Sequence, residues 1–281
     1  MAVGTTRGKR KLGALMEQYR EKSGLKADAI IKEVRTSRST WSRMIAGEAR
    51  PRWALFFAIL SVMKVSDEER ERAMALWEIA DDEAVPIEHA ASLPKSYLRF
   101  RRDESEAVVE RSVDVVLIPG MLQTPDYAAA LAVGNQHLLA GEKWEERAAP
   151  ERRDRQGLLR REPRPLVLHA LIDEAALRRE IGGPEVMRAQ WDHLLHAAEL
   201  PNVTIQVIPN RVGAYGALSA NMIILEFADD LGSVYLENLI GGDSVEDEDG
   251  VAKLRAVWDD AAARALSAGD TVEFIRAMRG S

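Results

Sequence analysis

LKADAIIKEVRTSRSTWSRMIAGE, residues 25–48, decides how the first part of the chain folds. Apolar side chains at helical spacing predict one helix over residues 27–34 and a second helix after a short turn. Ser37 precedes the second helix, where its side chain can accept a hydrogen bond from an exposed backbone N–H. Trp41 and Met44 begin an apolar stripe, and Gly47 is placed to end the helix. The stretch therefore predicts two short helices joined by a tight turn.

The outward faces of the second helix carry side chains that can read DNA. An arginine can form two parallel hydrogen bonds with guanine in the major groove, whereas serine and threonine contact bases less selectively. The residues predicted to contact bases are Arg38, Ser39, Thr40, Ser42 and Arg43. The residues predicted to contact the DNA backbone are Lys9, Arg10, Lys26, Arg35, Ser37, Arg50 and Arg52. Double-stranded DNA is the predicted partner, and the alternative is a protein-interaction domain whose arginines are merely solvated.

The charge of the chain is distributed unevenly. Residues 1–60 hold 13 lysines and arginines against 5 aspartates and glutamates, a net charge of +8, whereas the whole chain carries −7. The remaining residues therefore carry −15. A basic head on an acidic body indicates that a polyanion binds at one end only, although chance clustering of solvated charges is the alternative.

The helix pair lies inside a predicted all-α domain over residues 1–80. An apolar stripe over residues 12–19 indicates a first helix, which the Ser-Gly pair at 23–24 ends. A fourth helix follows the pair. Ser66 and Glu69 form a capping-box pattern at the start of a fifth. The domain is therefore predicted to contain five helices.

Ten residues of this domain have a spacing that resembles the XRE family of Cro/repressor-type helix-turn-helix proteins. They are Leu25, Ile30, Val34, Ser37, Arg38, Ser39, Thr40, Ser42, Arg43 and Gly47. Ala27 stands where such domains often place a glutamine that contacts the DNA backbone, and Arg35 where they often place the turn glycine. If the turn is left-handed, Arg35 must adopt a backbone angle that glycine adopts more easily. The resemblance implies a transcriptional regulator.

Residues 95–281 are predicted to form a mixed α/β domain, after an acidic, proline-containing linker at residues 81–94. Strand-like runs occur at residues 113–118, 166–172, 203–208, 221–227 and 233–239. Helical runs occur at residues 125–133, 144–161, 173–180, 184–199, 251–266 and 272–278. The last three strands are close together, which predicts an antiparallel meander followed by C-terminal helices. The predicted fold class is α+β overall, an all-α helix-turn-helix domain followed by a mixed sheet flanked by helices.

Residues 92–281 also resemble a known group, the WhiJ-like regulators of actinobacteria. The phrases that carry the resemblance are VLIPGMLQTPDYAAAL, LIDEAALRREIGGPEVMRAQWDHLLHAAELPNVTIQVIP and VYLENLIGG. These XRE-type proteins are often described as toxin–antitoxin-like. The resemblance implies a regulator that is often encoded beside a small partner protein, and it implies no chemical activity.

The composition and motifs of the chain exclude several classes of functional site. The chain has no cysteine, which excludes disulfides and thiolate ligands and fits a cytoplasmic location. Its basic N-terminus lacks the apolar core of a signal peptide, and no apolar run reaches the length of about 20 residues that spans a bilayer. We find no nucleotide-binding glycine motif and no serine-nucleophile motif. The sequence predicts no enzyme activity, cofactor, metal or membrane association.

Three groups of titratable residues could bind a metal or catalyse a reaction, but each also has a purely structural interpretation. His193 and His196 could bind a metal with His169 or Asp173, although a half-exposed helix face is favoured. The acidic run at residues 243–249 could attract a cation, but it lacks the pattern of a calcium loop, so a solvated loop is favoured. Asp173 and Glu174 resemble a catalytic carboxylate pair, yet they open a helix, where acids offset the helix dipole.

The loop NRVGAYGALSA, residues 210–220, is a candidate ligand or partner loop. Gly213 and Gly216 give it flexibility, and Tyr215 offers a large contact group beside a strand end. It could line a pocket or cover a partner groove, although an ordinary surface connection is favoured. The sequence at residues 118–127, IPGMLQTPDY, has the same two interpretations.

The functional prediction is a sequence-specific DNA-binding transcriptional regulator. A homodimer on repeated half-sites is expected, because one recognition helix reads too few bases for genomic specificity. The C-terminal domain is expected to dimerise, or to bind a small protein encoded nearby or a small-molecule effector. One alternative is an antitoxin that neutralises a small cognate protein and represses its own operon. Another is an enzyme with a DNA-targeting head.

Overall fold

The computed structural model describes residues 6–80, 87, 93–134, 144–219, 221–228, 230–238 and 241–280. The chain divides into two compact units, Met1–Pro86 and Ile87–Ser281, called here the N-terminal and the C-terminal unit. The proposed linker at residues 81–94 lies outside the described residues except for Ile87, Leu93 and Pro94.

Residues 6–80 form five helices, which confirms the all-α prediction. They are α1 (Arg7–Ser23), α2 (Ala27–Glu33), α3 (Arg38–Ile45), α4 (Trp53–Val62) and α5 (Asp67–Ile79). Gly24 ends α1 with a left-handed φ of 69°, and Ser66 and Glu69 form the predicted capping box at the start of α5. One face of each helix packs into a common core that includes Met16, Ile30 and Phe56.

The C-terminal unit combines a sheet with helices on both faces. Its helices are α6 (Lys95–Glu106), α7 (Pro125–Gly134), α8 (Trp144–Gly157), α9 (Glu174–Arg178), α10 (Pro184–Ala197), α11 (Glu248–Arg264) and α12 (Ala268–Gly280). Its strands are β1 (Val109–Asp114), β2 (Val167–Asp173), β3 (Val203–Ile208), β4 (Met222–Phe227), β5 (Asp230–Asn238) and β6 (Gly241–Val245). The predicted mixed sheet with flanking helices is therefore confirmed. Within the described part of the chain, no helix is long and apolar enough to cross a membrane.

The strand order in the sheet is β3-β2-β1-β4-β5-β6. Strands β1, β2 and β3 are parallel, and β4, β5 and β6 form an antiparallel meander. The meander exists, but its membership differs from the prediction, because Val203–Ile208 lies at the far edge beside β2. The connection from β2 through α10 explains this placement, since a helical crossover returns the chain parallel to the strand that it left.

Two elements were absent from the prediction, and one strand was misplaced. Helix α6 contains buried Arg101, Asp103 and Glu104, so its apolar pattern is interrupted by charges. Strand β6 begins with two glycines, and its sequence GGDSV is poor in residues that favour strands. The predicted strand at 113–118 lies at Val109–Asp114 instead, because four of the six residues in its sequence VERSVD are charged or polar and give no apolar strand pattern.

The two faces of the sheet have separate cores. On one face, Leu168, Ala170 and Ile172 of β2 belong to a large core that also includes residues of α6, α7, α10 and α12. On the other face, Val113 and Leu171 belong to a smaller core with residues of α11. Alternate residues of β1 therefore point into different environments.

Candidate nucleic-acid interface and a buried charge cluster

Helix α3 is held by its cap and by the helix beneath it. The side chain of Ser37 accepts a hydrogen bond from Thr40 N at 3.0 Å, as the sequence predicts. Trp41 and Met44 are buried in the core. Gly13 of α1 allows close approach, since a Cβ there would lie 2.5 Å from Ile45 O. The orientation of α3 on the domain is therefore determined at both of its ends.

The turn before α3 is left-handed, one of the geometries that the sequence leaves open. Arg35 has a φ of 53°, a region that glycine adopts more easily than other residues. Thr36 N donates to Ile31 O at 3.1 Å, which closes the turn over the end of α2. The side chain of Arg35 is exposed beside it.

All five residues predicted to contact bases are exposed on α3. Arg38 Nη2 donates to both carboxylate oxygens of Asp28 on α2, at 2.5 and 2.7 Å. Arg43 Nε lies 3.7 Å from Glu48 Oε2. The hydroxyls of Thr40 and Ser37 are 2.8 Å apart, whereas Ser39 and Ser42 project into solvent. The helix therefore presents two arginines and several hydroxyls, with Asp28 facing the first arginine.

An open groove runs beside this face of α3. Its volume is about 620 Å³, and its lining includes Lys26, Asp28 and Ile31 from the α2 side and Arg38 and Ser42 from α3. A groove between the two helices of a helix-turn-helix gives polar side chains on both helices access to the same ligand.

The residues predicted to contact the DNA backbone differ in exposure. Lys26, Arg35, Ser37 and Arg52 are exposed, and Lys9 is half-buried. Arg50 is also half-buried, with its guanidinium carbon 3.9 Å from the centre of the Trp77 ring.

The prediction for Arg10 requires a correction. Its side chain is buried, because the turn after α3 lies directly on α1. A Cβ at Gly47 in that turn would be 2.6 Å from Arg10 Cα. A buried guanidinium cannot meet a phosphate in this conformation.

The candidate loop of the C-terminal unit is firmly attached to the sheet. Tyr215 is 8% exposed and donates a hydrogen bond to Asp173 Oδ2 at 2.7 Å. Its burial and the charge of Asp173 raise the pKa of the phenol. Tyr215 is therefore a core residue and not the surface contact group that the sequence suggested.

The neighbouring residues of the loop have different surroundings. Gly213 has a positive φ of 68° and is exposed. A Cβ at Gly216 would lie 3.2 Å from a methyl group of Val257.

The candidate carboxylate pair has structural partners. Asp173 caps α9 by accepting a hydrogen bond from Ala175 N at 2.8 Å. Glu174 accepts hydrogen bonds from Arg178 Nε at 2.6 Å and from Asn210 N at 2.8 Å. The pair therefore holds the loop to the start of the helix, and the two acids are not arranged around a shared space.

The candidate histidines also have separate surroundings. His169 Nε2 pairs with Gln206 Oε1 at 2.6 Å, and its ring stands edge-on to Trp258. His196 Nδ1 contacts Asp192 O at 2.7 Å, and burial lowers the pKa of His193. Among the described residues, no three potential ligands are grouped as a metal site would require.

The acidic run at residues 243–249 is largely incorporated into secondary structure. Its first residues belong to β6, and Asp247 caps α11 by accepting a hydrogen bond from Gly250 N at 2.8 Å. Helix α11 therefore begins at Glu248, three residues before the predicted start.

A buried charge cluster lies between β1, α6 and α8, and it was not predicted from the sequence. Its members are Arg101, Glu104, Glu110, Asp114, Glu151 and Arg155, each less than 9% exposed. Arg101 donates to Glu104 at 3.0 Å and to Glu151 at 2.9 Å. Arg155 Nη2 donates to Glu104 Oε1 at 2.6 Å. Two guanidinium groups thus share one carboxylate that is completely buried.

Strand β1 supplies the remaining acids of the cluster. Glu110, Ser112 and Asp114 alternate along β1 and therefore share one face of the strand. Burial, together with the neighbouring Glu104, raises the pKa of Glu110 well above its usual range. Burial also raises the pKa of Asp114 to about 7. Glu110 Oε2 and Asp114 Oδ2 have no hydrogen-bond partner in the described part of the chain.

Comparison with protein families finds one matching family model in each unit of the chain. Residues 11–73 match the model of a helix-turn-helix domain, and residues 97–277 match a domain of unknown function, DUF5753. The chain belongs to the DUF5753 family. No curated protein and no solved structure shows significant similarity to it.

The DUF5753 match includes all six members of the buried charge cluster, and the helix-turn-helix match includes all of α3. One feature of the sequence could have indicated the buried charge cluster. Glu110, Ser112 and Asp114 occupy alternate positions, which is the pattern of a strand whose polar face points inward. Gly120 gives no such indication, because its close approach to Arg155 Nη1, 2.3 Å from a Cβ at that position, is visible only in the structure. Sequence reasoning that assigns charged residues to solvent misses the pattern of Glu110 and Asp114.

Proposed function

We propose that this protein is a sequence-specific DNA-binding transcriptional regulator of the XRE type, with α3 as its recognition helix. The observation that carries the proposal is the division of α3 into two faces. Trp41 and Met44 are buried, whereas Arg38, Ser42 and Arg43 are exposed beside a capped helix start. A recognition helix needs a face that fixes it to the domain and a face that enters the major groove.

The exposed face suits DNA chemically. Arg38 and Arg43 can donate to guanine, and the hydroxyls of Ser39 and Ser42 can contact bases or phosphates. Lys26, Arg35 and Arg52 are the exposed candidates for backbone contacts, and the half-buried Lys9 and Arg50 are assigned the same role. Phosphate contacts of this kind set affinity and its salt dependence, while base contacts set sequence choice.

The C-terminal unit is assigned the role of regulating DNA binding by the N-terminal unit. We infer that it dimerises the protein, or binds a small partner protein or ligand, and so changes the affinity for DNA. The resemblance to the WhiJ-like group supports this assignment. A dimer would place two copies of α3 on half-sites about 34 Å apart, one helical turn of DNA. The proposal gives neither unit a catalytic role.

Selection of bound fragments from a genomic library by the full-length protein tests this function. We expect the bound fragments to share a motif that occurs twice, with a spacing close to a whole number of helical turns. Recovery of fragments that share no motif would contradict sequence-specific binding. A single motif without a repeat would contradict the dimer alone.

The antitoxin alternative makes a different prediction about partners. The resemblance to toxin–antitoxin-like regulators favours a complex with the product of a small neighbouring gene. Co-expression and purification of both products should then yield one stable complex, and addition of the partner should change the affinity for the selected motif. Separate elution of the two proteins would contradict this role and leave the DNA-binding proposal unaffected.

A further inference from the structure

The ion pair between Asp28 and Arg38 joins α2 to the first residue of α3. Both carboxylate oxygens of Asp28 accept from Arg38 Nη2, at 2.5 and 2.7 Å. The two side chains remain 68% and 77% exposed, so the pair stands in solvent at the groove beside α3. In the described part of the chain, Asp28 is the group that contacts the guanidinium of Arg38.

The contact leaves part of the guanidinium available. Only Nη2 is used, so Nε and Nη1 can still donate to a base. An exposed ion pair is weak and can rearrange at little cost. The carboxylate therefore restrains the direction of the arginine without removing its capacity to bind DNA.

The same carboxylate makes Arg38 a poor ligand for phosphate. An unpaired arginine on the recognition helix would be attracted to the backbone of any DNA sequence. A carboxylate on its Nη2 offsets that attraction and repels nearby phosphates, whereas the donor and acceptor pattern of a base edge carries no net charge.

We propose that Asp28 is a specificity-determining residue that acts through Arg38. It biases the direction of the guanidinium and disfavours its use as a general phosphate contact, an effect of the size expected for an exposed ion pair. Asp28 is thus a positioning residue, and it raises the ratio between specific and non-specific affinity. This inference rests on the proposed DNA-binding function.

Asp28→Asn tests the inference in the full-length protein, with one selected genomic duplex and one scrambled duplex of equal composition as probes. We expect the variant to bind the scrambled duplex more tightly and the selected duplex no better, so the affinity ratio falls about two- to fivefold. The plot of log affinity against log salt on scrambled DNA should steepen by about 0.9, the value for one added phosphate contact.

Glu33→Gln is the matched control. Glu33 also lies on α2, is exposed, and forms no ion pair within the described residues, so the charge change is the same without the contact to Arg38. We expect it to change both affinities in parallel. In an Arg38→Ala background, Asp28→Asn should no longer alter the ratio.

The possible outcomes are separable. An Asp28→Asn effect equal to that of Glu33→Gln, or one that persists without Arg38, would overturn the inference while leaving DNA binding intact. Failure of the unmodified protein to discriminate between the two duplexes would overturn the proposed function, and this inference with it. Because Asp28 is exposed, the thermal stability of the variant should stay close to that of the parent, which separates misfolding from altered recognition.

Discussion

On α3, the side chains of Arg38 and Arg43 are 77% and 52% exposed, whereas those of Arg101 and Arg155 in the C-terminal unit are 2% and 5% exposed. Each of the four lies near a carboxylate, but the consequences differ. The exposed pairs can exchange a carboxylate for another ligand at little cost. The buried pairs cannot, because removal of one partner leaves an uncompensated charge out of reach of water.

The comparison separates arginines that can reach an external ligand from arginines that support the fold. The sequence does not distinguish the arginines of α3 from those of the buried charge cluster, because in both cases an acid lies nearby in the chain. Burial decides between them, since it determines whether the guanidinium can reach an external ligand. Changes on α3 should therefore alter DNA binding, and changes in the buried charge cluster should alter stability.

Arg155→Ala should produce the largest effect on stability. It leaves Glu104 with one guanidinium partner instead of two and removes the positive charge beside Glu110 and Asp114. We expect the C-terminal unit to lose about 3–5 kcal/mol of unfolding free energy. Urea unfolding of the full chain would measure the loss.

Arg153→Ala is the control for that change. Arg153 lies on the same helix, α8, but is exposed and forms no ion pair in the described part of the chain. Its replacement should change stability by less than about 0.5 kcal/mol. Equal stabilities of the two variants would show that the buried pair contributes no more than a surface arginine.

Asp114→Asn should make the C-terminal unit more stable at neutral and alkaline pH. The pKa of Asp114 is raised to about 7, chiefly by burial, so the folded state favours the protonated acid. Its contribution to stability is fully present below the pKa of the unfolded chain, near 4, and is lost as the pH rises through 7. At pH 8 the variant should gain roughly 4 kcal/mol, and at pH 4 almost nothing.

Unfolding of both proteins from pH 4 to pH 8 would measure this difference. Asp259→Asn, at an exposed position on α11, is the surface control and is expected to change stability by less than about 0.5 kcal/mol. A gain for Asp114→Asn that is the same at every pH would point to better packing of the amide, contrary to the electrostatic explanation.

Gly120→Ala should destabilise the C-terminal unit by about 1–3 kcal/mol, because the added methyl group forces the guanidinium of Arg155 to move. The new Cβ would otherwise lie 2.3 Å from Arg155 Nη1. Gly157→Ala is the matched control, since a Cβ there meets nothing within 4 Å and φ is −56°. That control should be neutral or slightly stabilising, and a similar loss in both variants would contradict the steric explanation.

Ser37→Ala should have the smallest effect on stability, about 1 kcal/mol on the N-terminal unit, because it removes the cap of α3. The exposed surface of the helix is otherwise unchanged. Thermal unfolding would measure the loss, with Ser39→Ala as a control that lies outside the cap. If Ser39→Ala cost as much as Ser37→Ala, the cap would not be what fixes the start of α3.

Local signals explain what the sequence could predict in the N-terminal unit. The start of α3 follows from one serine, and the capping box of α5 from Ser66 and Glu69. Both depend on neighbours within three residues along the chain. Arg10 was misplaced because its burial depends on the turn at Gly47, which is distant in sequence.

Long-range contacts explain what was missed in the C-terminal unit. Helix α6 and strand β1 were missed or displaced because Arg101, Glu104 and Glu110 meet partners that lie elsewhere in the chain. Tyr215 looked like a surface group because Asp173, its hydrogen-bond acceptor, is 42 residues away. The type of a charged or polar residue is known from the sequence, but whether that residue is buried depends on the folded chain.

The most direct test of the assignment of α3 compares two double variants. One is Arg38→Ala/Arg43→Ala, and the other is the control Arg72→Ala/Arg153→Ala, which removes two exposed arginines outside α3. The ratio of affinities for a selected genomic duplex and a scrambled duplex is measured for each. We predict that the α3 variant loses about tenfold or more of this ratio, from a cost of about 1–3 kcal/mol for each base contact. The control should keep the ratio of the parent protein. An unchanged ratio in the α3 variant would contradict the assignment of α3 as the recognition helix.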